Sequence, residues 1–127
     1  VLNVSMTSFF NAGFASSKPT QQQIGKGIYQ SKTLPRNSPL LIFWIQAWWV
    51  RKGDIMNLKI IGPSGRELIN NTSKIKKLQA RHMRYAGKRR RKTLWKTGEY
   101  TGIGELIRRS EGKTFRFSVQ RKIVMQD

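Results

Sequence analysis

The chain is 127 residues long, and 25 Lys and Arg against 6 Asp and Glu give it a formal charge of +19. That length suits one domain with its own core, and 38 % hydrophobic and 10 % aromatic residues are too many for a disordered basic tail. The lack of cysteine excludes disulfides, thiolate nucleophiles and Cys-based zinc sites, and the single His82 excludes motifs such as HExxH that need two histidines.

The first 53 residues contain no acid, and the chain opens on Val1 instead of Met, as a processed product or a piece of a longer chain would. No charged start followed by an apolar run and a cleavage site marks a signal peptide. Residues 1–38 read as a polar, loop-like extension or linker packing on a domain of residues 39–127, with Phe9, Phe10 and Phe14 around Gly13 as the apolar exceptions. Within this extension residues 20–30 fit one short helix, with Thr20 as N-cap and Gln23 at the third helical position, as in a capping box. Gly25 and Gly27 weaken that helix, and Pro35 and Pro39 close the segment.

Residues 40–50 form the strongest apolar run, far shorter than the ~20 residues a membrane span needs, and their β-branched and aromatic content suits a strand covered on both faces. Alternation puts Leu41, Phe43, Ile45, Ala47 and Trp49 on one face and Leu40, Ile42, Trp44, Gln46 and Trp48 on the other. A sandwich core covers only one of these faces. The other requires the N-terminal segment, a partner, or use as a binding surface.

After a turn at Gly53 and Asp54, Ile55–Ile61 alternates as a second strand, and the turn cluster of residues 62–65 leads to a third over 66–70. Residues 74–86 fit a helix or a strand equally, ending at Gly87. Residues 88–92 read as a basic loop, a strand follows over 99–109, a hairpin turn over 110–113 and a last strand over 114–125. Glycines among residues 97–104 mark a turn and a bulge; the order GxxxxGK[ST] of a phosphate loop is absent. The pattern predicts an all-β fold: a single Ig-like β-sandwich of about 6–8 antiparallel strands with an irregular N-terminal segment.

These motifs carry a resemblance. The series Leu40-Leu41-Ile42-Phe43-Trp44, Gly53-Asp54, Leu58-Lys59-Ile60, Gly62-Pro63-Ser64-Gly65, Gln79-Ala80-Arg81, Gly87-Lys88-Arg89-Arg90 and Trp95-Lys96-Thr97-Gly98-Glu99-Tyr100-Thr101-Gly102 runs through the chain in order. It resembles the Ig-like, β-rich C-terminal region of lysostaphin-type (LytM-like) peptidoglycan metallopeptidases. The peptidases of that family hold zinc on two histidines and an aspartate with a further histidine assisting, and His82 alone supplies none of this. The resemblance therefore implies the non-catalytic part of such a protein, with no catalytic residue, metal or cofactor, in the periplasm or cell envelope of a Gram-negative bacterium.

Charge locates the candidate site. Residues 68–98 contain no acid, and their cations include Arg81, Arg84, Lys88, Arg89, Arg90, Arg91, Lys92 and Lys96, read as one face for an anionic ligand. Trp48 and Trp95 are possible aromatic contacts, while Trp49 and Trp44 are expected in the core. His82 among cations reads as incidental, and Glu99 and Glu105 lie roughly 20 Å apart on a regular strand, too far for paired acid–base work. The expected function is an accessory binding or interaction module contacting an anionic cell-wall polymer or a protein partner. A small nucleic-acid-binding protein and a structural subunit packing its uncovered face on a neighbour are the alternatives.

Overall fold

The computed structural model of the chain describes residues 6–27 and 30–127. Its elements, in chain order, are β1 (Ser8–Ala15), α1 (Gln21–Gly25), β2 (Thr33–Pro35), β3 (Leu40–Val50), β4 (Ile55–Ile61), β5 (Glu67–Lys74), β6 (Gln79–Arg89), β7 (Gly98–Ser110) and β8 (Lys113–Gln126). They make two stacked sheets, one ordered β1-β3-β6 and the other β2-β8-β7-β4-β5. The all-β sandwich expected from the turn spacing is therefore the fold. One pairing departs from the antiparallel pattern: β2 runs parallel to β8, matching Thr33 with Val124 and Pro35 with Gln126.

Alternation on β3 decides what fills the space between the sheets. Leu41, Phe43, Ile45 and Ala47 point inward and pack with Met56, Leu58 and Ile60 of β4 and with Tyr100, Leu106, Ile123 and Met125 of β7 and β8. Sheet packing at this point is close. A Cβ added to Gly102 would lie 2.3 Å from the Phe43 ring, so glycine there admits the aromatic side chain of the opposite sheet. Gly102 and Gly104 thus sit inside β7 in unbroken register with β4 and mark no bulge, contrary to the sequence reading.

Trp49 is the second correction. Its φ of 51° breaks the alternation, and the β3–β6 register passes from the Trp48–Arg81 pair to the Val50–Gln79 pair. Val50 takes the core position that strict alternation assigns to Trp49, which is left half-buried. The displaced Trp49 carbonyl accepts from the Thr7 hydroxyl at 2.9 Å and from Arg108 Nη2 at 3.4 Å. Arg108 in turn forms a two-point ion pair with Asp54, Nε to Oδ1 at 2.8 Å and Nη2 to Oδ2 at 2.7 Å, with both side chains buried. The buried pair ties the β3–β4 turn to β7.

The N-terminal segment covers the outer face of β3. β1 hydrogen-bonds along β3 as an edge strand, so residues 8–15 are part of the sandwich and not a loop. In α1 Thr20 caps the helix as expected, its hydroxyl accepting from the Gln23 N–H at 3.2 Å, but the helix is over by Gly25. Residues 1–5 of the N-terminal extension and residues 28 and 29 of the expected helix lie outside the described residues. Ile24 of α1 joins Ala15 over Ile42 and Trp44, which are buried there. Further along this face Trp48 is 39 % exposed and stacks on Phe10, ring centroids 3.9 Å apart, with Arg81 above both rings.

Candidate anion-binding site

Residues 74–86, ambiguous in sequence, belong mostly to β6, an edge strand whose alternate side chains point to opposite faces. That alternation divides the expected basic face. Arg81 and Arg89 pair with Trp48 and Leu40, positions on the outer side of β3; Arg84 and Lys88 pair with Ile45 and Leu41, positions on the core side. Lys88 and Arg89 are strand residues, and only the stretch after them is loop.

The loop from 90 to 97 is held against the segment that precedes β3. The Arg90 N–H donates to the Pro39 carbonyl at 2.9 Å and the Trp95 N–H to the Arg36 carbonyl at 3.0 Å. The Trp95 indole N–H donates to the Ser38 carbonyl at 2.8 Å, and Arg36 Nε donates to the Trp95 carbonyl at 2.8 Å. These bonds fold the basic stretch over the end of the sandwich, where it faces the turn between β4 and β5. The result is a groove of about 230 Å³ walled by Lys88, Arg89, Arg90, Arg91, Lys96 and Arg66, with Leu68, Leu94, Trp95 and Tyr100 supplying apolar surface and Ser64 and Thr93 hydroxyls.

No carboxylate lines this groove. Four of the six acids are committed elsewhere: Asp54 to Arg108, Glu99 to Lys122, Glu105 to Arg116 and Asp127 to Arg36. The groove lining itself therefore holds six cations and no anion. Arg90 Nε is buried and has no hydrogen-bond partner among the described residues, an orientation that costs free energy unless an acceptor approaches. Burial pushes the Tyr100 hydroxyl above its usual pKa, against the lowering effects of the Lys96 backbone and of Arg36, so it stays a neutral phenol donating to the Lys96 carbonyl at 2.8 Å.

Five of the eight expected cations and Trp95 thus meet around one groove. Lys92 is exposed on the loop outside its lining, and Arg81 lies with Trp48 and Phe10 on another face. Arg84 is turned toward β5, its Nε 3.4 Å from His82 Nε2. His82 is buried, with Nδ1 3.0 Å from Gln79 Oε1, so it is a packed interior group and not an incidental surface one. Burial and the Arg84 charge lower its pKa below 6.5. Arg66 escapes a sequence reading because it follows an unremarkable turn and reaches the groove only through the stacking of the two sheets. A larger depression of about 430 Å³ near the β3–β4 turn is also basic, but it contains Asp54, and Arg116 there is paired with Glu105.

Among the described residues no group of three or more His, Cys, Asp or Glu is placed to hold a metal ion, and no helix is long and apolar enough to cross a membrane. The chain matches no family model and no curated protein sequence. The likeness to lysostaphin-type peptidases therefore rests on the short motifs alone. The fold is similar to the crystal structure of the C-terminal domain of wzt, with a TM-score of 0.56 over 96 % of this chain and 74 % of that one, at 8 % sequence identity. At that identity the similarity establishes a shared β-sandwich architecture.

Proposed function

We propose that this β-sandwich is a non-catalytic binding module that holds an anionic polymer of the bacterial cell envelope in the groove at the end of the sandwich. One observation carries the reading: six cations, Arg66, Lys88, Arg89, Arg90, Arg91 and Lys96, wall a single groove that contains no carboxylate. Arginine forks match phosphate and carboxylate oxygens in two-point contacts, and the apolar patch of Leu94 and Trp95 suits the carbon face of a sugar ring. The hydroxyls of Ser64 and Thr93 lie in the groove without a carboxylate or histidine in the lining to activate them, which fits binding without bond cleavage.

The test is co-sedimentation with purified sacculi and with poly(glycerol phosphate) beads. The variant carrying Arg89→Ser, Arg90→Ser and Arg91→Ser is expected to lose at least about tenfold in retention while keeping its melting temperature. Retention equal to the unsubstituted chain overturns the reading. Oligo(dT) bound more tightly than poly(glycerol phosphate) at ~0.15 M salt would assign the groove to nucleic acid instead.

A further inference from the structure

A sandwich has two open sides where the edge strands of its sheets face each other without hydrogen bonding. On one of them β5 faces β6 across the gap. The two strands run in opposite directions, so the start of β5 lies near the end of β6: Arg66 and Leu68 share the groove with Lys88 and Arg89. At the other end of the same gap, Ser73 and Lys74 of β5 meet Gln79 and Arg84 of β6, and the connection between the strands adds Lys76 and Lys77. This second cavity is larger than the groove, at about 670 Å³ against about 230 Å³, and it too is lined without a carboxylate.

Register fixes which side chains face into the gap. Arg84 and Lys88 both pair with core-side residues of β3, Ile45 and Leu41, and so point from the same face of β6. Four residues of strand separate them by roughly 13 Å. Ser73 pairs with the core residue Met56 and so also faces inward, yet its buried hydroxyl has no hydrogen-bond partner among the described residues. A buried hydroxyl in native packing is almost always paired, so an orphan lining a cavity with Lys74, Lys76, Lys77 and Arg84 has a donor to give to an anionic oxygen that enters it.

We propose that the β5–β6 mouth around Ser73, Lys74, Lys76, Lys77 and Arg84 is a second anion subsite, collinear with the first groove, and that the ligand is an extended phosphodiester polymer lying along the gap and occupying both. The inference rests on the envelope-polymer reading and adds length to it, since an isolated phosphate is too small to touch both ends. The envelope source is favoured over nucleic acid because Trp95 and Tyr100 are the aromatic side chains lining the gap and Tyr100 is buried, which leaves Trp95 as the one aromatic face there among the described residues. No succession of open aromatic faces is offered to stacked bases.

The experiment measures affinity for poly(glycerol phosphate) of two and of about twelve units, and for oligo(dT) of matched length. The long polymer is expected to bind at least about tenfold more tightly than the short one, because the second contact becomes intramolecular. Lys74→Ser, Lys76→Ser and Lys77→Ser together should remove most of that length dependence and leave short-chain binding unchanged. A charge-matched control at the exposed Lys26, Lys113 and Arg121, each changed to Ser, should lose less than about threefold. Ser73→Ala should weaken long-chain binding a few-fold without lowering the melting temperature. If the mouth variant behaves like the control, the second subsite is refuted while loss in the Arg89–Arg91 variant still upholds the groove. If only the mouth variant loses binding, the groove reading fails and with it the polymer spanning both ends, leaving a single anion site at the mouth. Preference for oligo(dT) overturns the envelope source for both.

Discussion

At the scale of single residues, the strongest constraint lies away from the basic groove. Asp54 and Arg108 are both buried, and each is the other's charge partner; Asp54 also accepts from the Arg51 N–H at 2.8 Å, and Arg108 Nη1 donates to Thr7 at 2.9 Å. Asp54→Ala strands a buried guanidinium and is expected to cost about 3–5 kcal/mol in chemical denaturation. His82 gives a pH signature. Its folded pKa is lowered by burial and by Arg84, so below the ordinary 6.5 the unfolded chain takes up a proton that the folded chain resists. Stability contributed at this position is therefore present above about 6.5 and is lost as pH falls from there toward the depressed folded pKa. The melting temperature should drop between pH 7.5 and 5.5, and His82→Gln should flatten that drop. An unchanged slope would place the titration elsewhere.

At the scale of elements, α1 is a five-residue helix whose one buried side chain, Ile24, caps Ile42 and Trp44. So short a helix has little stability of its own, and packing holds it in place. Ile24→Ala is expected to cost about 2–4 kcal/mol and to open Trp44 to acrylamide quenching, whereas a helix that merely rests on the surface would leave both unchanged. The start of this helix was legible in sequence because Thr20 and Gln23 form a local cap, and local hydrogen bonds depend on neighbours in the chain. Its docking was not legible. Nothing in the spacing of residues 20–25 says that the uncovered face of β3 lies against them. Trp49 failed for a related reason: alternation assumes regular backbone, and the left-handed residue there is held by the carbonyl's bonds to Thr7 and Arg108, both far away in sequence.

For the whole molecule, charge is arranged so that the groove and the β5–β6 gap are lined by cations while four of the six acids are paired elsewhere. Binding driven this way is long-ranged and screened by salt, with a Debye length of about 10 Å at 0.1 M. Raising salt from about 0.05 to 0.5 M should therefore weaken binding of poly(glycerol phosphate) by at least about tenfold, mostly through slower association. Salt-independent binding would shift the weight to the apolar contacts of Leu94 and Trp95.

The charge of +19, the acid-free span of residues 68–98, the strand-rich pattern and the Thr20 cap were fixed by the amino-acid sequence alone, because each depends on composition or on neighbours along the chain. The tertiary structure decided which cations lie together. Strand alternation sends Arg81 and Arg84 to opposite faces of β6, while the stacking of two sheets brings Arg66 to Lys88 and Ser73 to Arg84. Charge is a property of residues, but a binding site is a property of the surface they share, and only the pairing and stacking of the strands create that surface.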